Sequence, residues 1–155
     1  MKTFLNIVVW LAAIFISAIF LSSLQYKFTG HPTPEHIFTI LRDWSGIGLF
    51  YPAGPWIIGL AEALAAICLI ALPALFLLTN KRNAARNTQM FGAVIALGVM
   101  SGAIVFHLFT PLGISTPTEW ANGEPVAFSP ALFISACVSW LCAVVVLLVR
   151  GKQRP

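Results

Sequence analysis

Three titratable side chains interrupt a very apolar sequence at positions where a charged group would be costly to bury. Lys27 follows the first apolar stretch, Glu62 lies inside the second, and His107 lies near the end of the third. A carboxylate inside an apolar helix in lipid is costly unless it is neutralised, paired or hydrated, so such residues are candidates for function. We expect Lys27 to pair with Glu62, His107 to hydrogen-bond the same carboxylate, and Glu62 and His107 to exchange protons with a ligand.

The residues around Lys27 are also polar. Gln25, Tyr26 and His31 stand within a few positions of it. We expect all three to surround the ion pair and to line a ligand site together with Lys27, Glu62 and His107. A second interpretation stays open, in which the polar cluster binds nothing and only fixes the register of the helices.

The elements that position these residues follow from composition. Of 155 residues, 59% are hydrophobic and 9% are charged, whereas soluble domains carry about 25% charged residues. Four stretches have the roughly 20 apolar residues that a membrane-spanning helix requires, namely 4–24, 56–79, 89–110 and 130–150. No stretch shows strand-like alternation. The sequence therefore predicts one integral membrane domain over residues 1–155, with an all-α fold of four transmembrane helices in a bundle.

The basic residues predict the orientation of this multi-pass protein. Seven of the nine Lys and Arg residues fall on one side of the predicted membrane, and only Lys27 and Arg42 fall on the other. By the positive-inside rule we expect both termini in the cytoplasm, most simply at a bacterial cytoplasmic (inner) membrane. The basic loops then contact membrane lipids with anionic headgroups, and no nucleic-acid partner is indicated.

The first external loop contains a predicted amphipathic helix. Thr33 is a candidate N-cap, and apolar residues recur at Ile37, Ile40, Leu41 and Trp44. We expect this short helix to lie at the membrane interface or to cover the end of the bundle.

Three further features concern loops and packing. The second external loop, residues 111–130, is rich in turn residues and carries Trp120, a residue type typical of interface anchors. Pro73 is expected to kink the second span and to free a backbone carbonyl for another partner. Gly98 and Gly102 form a GxxxG pattern that permits close helix approach, either within the chain or in a homodimer.

Common cofactor and metal patterns are missing from the sequence. His31, His36 and Glu62 do not have the spacing of a strong metal site, and His107 is the one histidine within a predicted span, which argues against haem held between helices. The cysteines lie within the spans and are expected to pack as small apolar residues. We therefore predict no metal and no intrinsic cofactor.

Three segments resemble the DoxX-like family of small four-helix membrane proteins. They are KFTGHP at Lys27–Pro32, GLAE at Gly59–Glu62 and MSGAIVFHL at Met100–Leu108. The resemblance implies a four-helix membrane fold and an association with membrane redox systems, as in the quinone-linked DoxD and DoxA pair that oxidises thiosulfate. It also implies that relatives act in receptor assembly.

Three functions remain open at this point. The first is a redox-associated subunit that binds a quinone or another lipophilic ligand at the external polar pocket and receives electrons from a partner protein, as an accessory subunit if it belongs to an enzyme. The second is a membrane assembly or chaperone protein without chemistry. The third is a small proton-coupled transporter, which would require a dimer through Gly98 and Gly102 because four helices make a thin transport path.

Overall fold

The computed structural model describes residues 2–153, so Met1, Pro155 and Arg154, one of the basic residues counted above, lie outside the described residues. Four helical spans are long and apolar enough to cross a membrane, which confirms the predicted all-α bundle. The first, third and fourth spans are the single helices α1 (Lys2–Phe28), α5 (Arg82–Phe109) and α6 (Ala131–Lys152). The second span has three parts, which are α3 (Ala53–Ala66), a π turn (Ile67–Ala71) and α4 (Leu72–Leu78).

The core of the bundle is built largely from small side chains. α1 packs against α3 and α6, and α5 packs against α6 and the second span. Alanines from every span are buried there, around larger residues of α1 such as Ile16 and Phe20. Large apolar side chains such as Leu60 and Leu141 remain more than half exposed on the outside, as the lipid-facing surface of a membrane bundle requires.

Pro73 frees a backbone carbonyl of the second span, as predicted, while the predicted kink stays a prediction. The π turn ends just before it, and Pro73 has no N–H to donate to the carbonyl of Leu69. That carbonyl instead accepts a hydrogen bond from Gln89 Nε2 of α5, at 3.1 Å. The carbonyl that proline leaves free thus ties the second span to α5.

The predicted amphipathic helix of the first loop is present as α2 (Pro32–Ser45), but its start and its buried face differ from the prediction. The N-cap is His31, not Thr33, and its Nδ1 accepts a hydrogen bond from the Thr33 amide at 3.2 Å. Phe38, which the predicted apolar stripe omitted, is buried with Leu41, while Trp44 is 54% exposed. Phe38 turns inward because Gly54 at the start of α3 leaves no side chain in its way.

The second external loop, interpreted from the sequence only as turn-rich, forms an antiparallel hairpin. β1 (Thr116–Ala121) pairs with β2 (Glu124–Ser129), with an irregularity in register around Glu119. Asn122 and Gly123 form the connection, and both have positive φ, as a type I′ turn requires. The Asn-Gly pair was the sequence signal for this hairpin.

The two ends of the bundle differ in construction. The end where α1 and α5 finish carries α2 and the hairpin, and we call it the hairpin end. The end where α1 and α5 begin, and where α4 and α6 finish, has only the tight turn at residues 79–81, and we call it the termini end. All five Asp and Glu residues lie in elements at the hairpin end, namely α2, α3, β1 and β2.

Candidate functional site

The predicted ion pair between Lys27 and Glu62 is formed at the hairpin end, between α1 and α3. Lys27 Nζ lies 2.7 Å from Oε1 and 2.6 Å from Oε2 of the carboxylate. Ser23, one helical turn before Lys27, donates from Oγ to Glu62 Oε2 at 2.6 Å and accepts from Lys27 Nζ at 3.0 Å. The Glu62 side chain is 4% exposed and that of Lys27 is 13% exposed. The three residues form a nearly closed charge-neutral cluster.

His107 does not join this cluster, contrary to the prediction. It is buried in α5, where its Nδ1 donates a hydrogen bond to the carbonyl of Gly113 at 2.6 Å and its ring meets the edge of Phe133. Among residues 2–153 the side-chain hydrogen bonds of Glu62 come from Ser23 and Lys27. The similar depth expected from the predicted spans did not bring the side chains together, because His107 lies near the end of α5 and faces the loop between α5 and β1.

A cavity of about 160 Å³ opens beside Lys27. Tyr26 and His31 line it, and their rings meet edge to face with centroids 4.8 Å apart. The Gln25 side chain is exposed and is not part of the lining, so of the three polar neighbours two lie at the cavity and one does not. Glu62 stands behind Lys27 and reaches the cavity only through the ion pair.

The remaining wall of the cavity comes from the loop before α3 and from aromatic rings. Tyr51 lines it and donates a hydrogen bond from its hydroxyl to Glu35 Oε1 at 3.0 Å, which raises the pKa of the Tyr51 phenol and keeps it protonated. Phe28 and Trp56 stack at a centroid distance of 4.8 Å, and both also line the cavity. The site therefore combines one ammonium group, the Glu35 carboxylate, hydrogen-bond donors and apolar ring surfaces.

Several of these residues were missed from the sequence, although a signal existed for one of them. Ser23 precedes Lys27 by four positions, so both side chains share one face of α1. Tyr51 and Glu35 are brought together by the packing of the loop against α2, and no local pattern predicts that contact.

The structure and the comparisons together define a class but no family. No group of three or more His, Cys, Asp or Glu side chains that could hold a metal ion occurs among the described residues. The chain matches no family model, and no similar curated protein or solved structure is found. Its four apolar helical spans are those of a multi-pass membrane protein.

Proposed function

We propose that this protein is a DoxX-like, redox-associated membrane subunit that binds the ring of a quinone or of a similar lipophilic ligand in the cavity beside Lys27. The observation that carries the proposal is the cavity itself, in which aromatic rings and polar groups converge on a buried ion pair. Sites for small ligands are mostly apolar concavities with a few placed polar groups. With both termini in the cytoplasm, this site faces the external side of a bacterial cytoplasmic membrane.

The chemistry of the lining favours an uncharged ring with hydrogen-bond acceptors. Lys27 and Glu62 neutralise each other, and the remaining charged group of the lining is the Glu35 carboxylate, so the site does not attract an anion. A quinone carbonyl accepts hydrogen bonds. Of the donors that line the cavity, Lys27 and Tyr51 already donate to Glu62 and Glu35, which leaves the Tyr26 hydroxyl and the His31 ring. At about 160 Å³ the cavity holds a single ring, and an apolar tail would lie outside it against lipid.

We assign proton donation to residues that line the cavity, and no longer to Glu62 and His107. Glu62 is covered by Lys27 and Ser23, and His107 is held by Gly113. His31 and Tyr26 would hold or pass a proton at the ligand carbonyl, while electrons come from a partner protein.

Binding can be measured by quenching of tryptophan fluorescence with decylubiquinone, because Trp56 lines the cavity. We expect saturable quenching in the wild type and a Kd about tenfold weaker in His31→Asn, the loss of one hydrogen bond of the stronger kind. Asparagine is a good N-cap, so this substitution removes the ring and keeps the start of α2. Gln25→Ala is the matched control, since that exposed side chain lies outside the cavity.

Two results would contradict the proposal. One is equal quenching in wild type and in Trp56→Phe, which would locate the quinone elsewhere on the lipid-facing surface. The other is the same Kd in His31→Asn, Gln25→Ala and wild type. Lipid extraction and native mass spectrometry of the purified protein would show whether a quinone is retained without addition.

A second candidate function is membrane assembly without chemistry. It is favoured by the closure of the cluster at Glu62, where Lys27 and Ser23 hydrogen-bond the carboxylate and join α1 to α3. This candidate predicts a large loss of stability in Glu62→Gln and no quinone in the extract.

The homodimer proposed for the transporter hypothesis has one supporting observation. A Cβ added at Gly98 or at Gly102 would meet no atom within 4 Å outside its own helix, so neither glycine is used for packing within the chain. A second copy of α5 could approach there. A strictly monomeric protein in nanodiscs would remove this candidate.

A further inference from the structure

A second and larger cavity, of about 480 Å³, lies at the termini end, far along the bundle from the cavity beside Lys27. Three arginines line it, Arg82 and Arg86 from the start of α5 and Arg150 from the end of α6. The proposed ligand site uses none of them.

Arg150 is unusual because it is buried without an acidic partner among residues 2–153. It is 9% exposed, and its guanidinium donates to side-chain amide oxygens, from Nε to Gln89 at 2.7 Å and from Nη1 to Asn6 at 2.7 Å and to Gln153 at 2.8 Å. Nη2 makes no hydrogen bond to any residue from 2 to 153. Amides orient a guanidinium without neutralising it, so Arg150 keeps its full positive charge inside the protein.

The side chains around Arg150 form a connected hydrogen-bond network. Gln89, which is 1% exposed, holds Arg150 with its carbonyl oxygen and uses its amide nitrogen to donate to the Leu69 carbonyl that Pro73 leaves free. Arg86 Nη1 donates to the backbone carbonyl of Gln153 at 2.8 Å, so Gln153 contacts both arginines. Two helices therefore hold cationic groups at one cavity.

The charged side chains described at this end are all basic. Each acidic side chain of the chain lies in an element at the hairpin end, so no Asp or Glu can reach these arginines. The cavity wall also includes apolar side chains, Trp10, Pro73 and Leu77, beside the cationic ones. An anion with an apolar attachment would satisfy both kinds of surface.

We infer that this cavity is a binding site for a phosphate group, with Arg82, Arg86 and Arg150 as its ligands. Guanidinium groups match phosphate oxygens in geometry and bind them through charge-assisted hydrogen bonds. The phosphate can belong to the headgroup of an anionic phospholipid, whose acyl chains would follow the apolar wall, or to a free phosphate.

The test uses the full-length protein in detergent and native mass spectrometry. Phosphatidylglycerol is the phosphate-bearing lipid, diacylglycerol with the same acyl chains is the lipid without phosphate, and inorganic phosphate is the competitor. We expect wild type to bind phosphatidylglycerol at least tenfold more tightly than diacylglycerol. We expect Arg82→Gln and Arg86→Gln each to weaken that affinity about tenfold, as the loss of one charge-assisted hydrogen bond implies.

Lys81→Gln is the matched control. It removes one positive charge from the same end of the bundle, but Lys81 is exposed and does not line the cavity. We expect less than a threefold change for it. Because Arg82 is exposed and Arg86 is partly exposed, both glutamine variants should fold, whereas replacement of the buried Arg150 carries a risk of misfolding.

The outcomes separate clearly. Displacement of phosphatidylglycerol by millimolar inorganic phosphate supports a phosphate site that accepts a free anion, and retention of the lipid supports a headgroup site. Equal binding of diacylglycerol would overturn the inference, because the apolar wall would then account for the affinity. A loss in Lys81→Gln as large as that in Arg86→Gln would also overturn it, since general surface charge would be sufficient.

Discussion

Removal of one partner from the buried ion pair at the hairpin end should destabilise the bundle more than removal of both. In Lys27→Met the Glu62 carboxylate, 4% exposed, keeps only the hydrogen bond from Ser23. Loss of one partner from a buried pair costs about 3–5 kcal/mol, because a buried charge is left uncompensated. The double variant Lys27→Met, Glu62→Leu removes both charges, and comparable replacements are neutral or stabilise by about 1–4 kcal/mol.

Thermal unfolding in one fixed detergent, followed by the fluorescence of the five tryptophans, measures these differences. For a chain of this length 1 kcal/mol corresponds to roughly 2–4 °C in Tm, so Lys27→Met should unfold about 6–20 °C below wild type. The double variant should recover wild-type Tm or exceed it. If Lys27→Met loses less than about 1 kcal/mol, or if the double variant loses as much as the single one, the pair is hydrated and the assignment of a buried cluster is refuted.

Three smaller predictions concern other contacts. Burial lowers the pKa of His36, so the neutral imidazole is favoured in the folded state. The contribution of neutral His36 to folding stability is complete above about pH 6.5 and is lost as the pH falls below that value. The Tm of wild type should therefore drop more between pH 7 and pH 5 than the Tm of His36→Gln, and parallel curves would contradict the burial. Trp120→Phe removes the hydrogen bond from Nε1 to Thr33 at 2.9 Å and should cost about 1 kcal/mol in thermal unfolding, while an unchanged Tm would mean that the hairpin does not depend on α2. Gly92→Leu should destabilise the protein by at least about 1–3 kcal/mol, because even a Cβ there lies 2.9–3.0 Å from atoms of the second span. Gly98→Leu, on the open face of α5, is the control and should leave the Tm of a monomer unchanged. Equal effects of the two substitutions on Tm would contradict this packing.

Hydrophobicity and simple helix geometry were sufficient to predict the spans and the ion pair. A membrane helix satisfies its backbone internally, so its position follows from the apolar stretch alone. Hydrophobicity does not predict how far the helix continues into polar residues beyond the apolar stretch. α5 accordingly begins at Arg82 and not at Gln89. Lys27 and Glu62 were predictable partners because a buried carboxylate in lipid requires a cation, and Lys27 was the one at its depth.

The errors arose where the direction of a side chain mattered more than its depth. His107 was expected at a depth near that of Glu62, yet it points to Gly113, because the rotation of α5 about its axis is set by packing with neighbouring helices. The same limitation applies to Phe38, whose inward position depends on the space over Gly54. The hairpin, in contrast, was predictable from Asn122 and Gly123 and was missed because the loop was interpreted only as turn-rich.

Buried cations at the two ends of the bundle are compensated in different ways, and this difference separates the two proposed sites. At the hairpin end Lys27 is matched by the carboxylate of Glu62, so the cluster is neutral, and with the Glu35 carboxylate in the cavity lining an anion is not attracted. At the termini end Arg150 is matched only by amide oxygens, so its charge remains and an anion is attracted. Exchange of the two ligand classes between the sites would leave a charge uncompensated in each case. A quinone should therefore not compete with phosphatidylglycerol, and substitutions at Arg86 should leave quinone affinity unchanged.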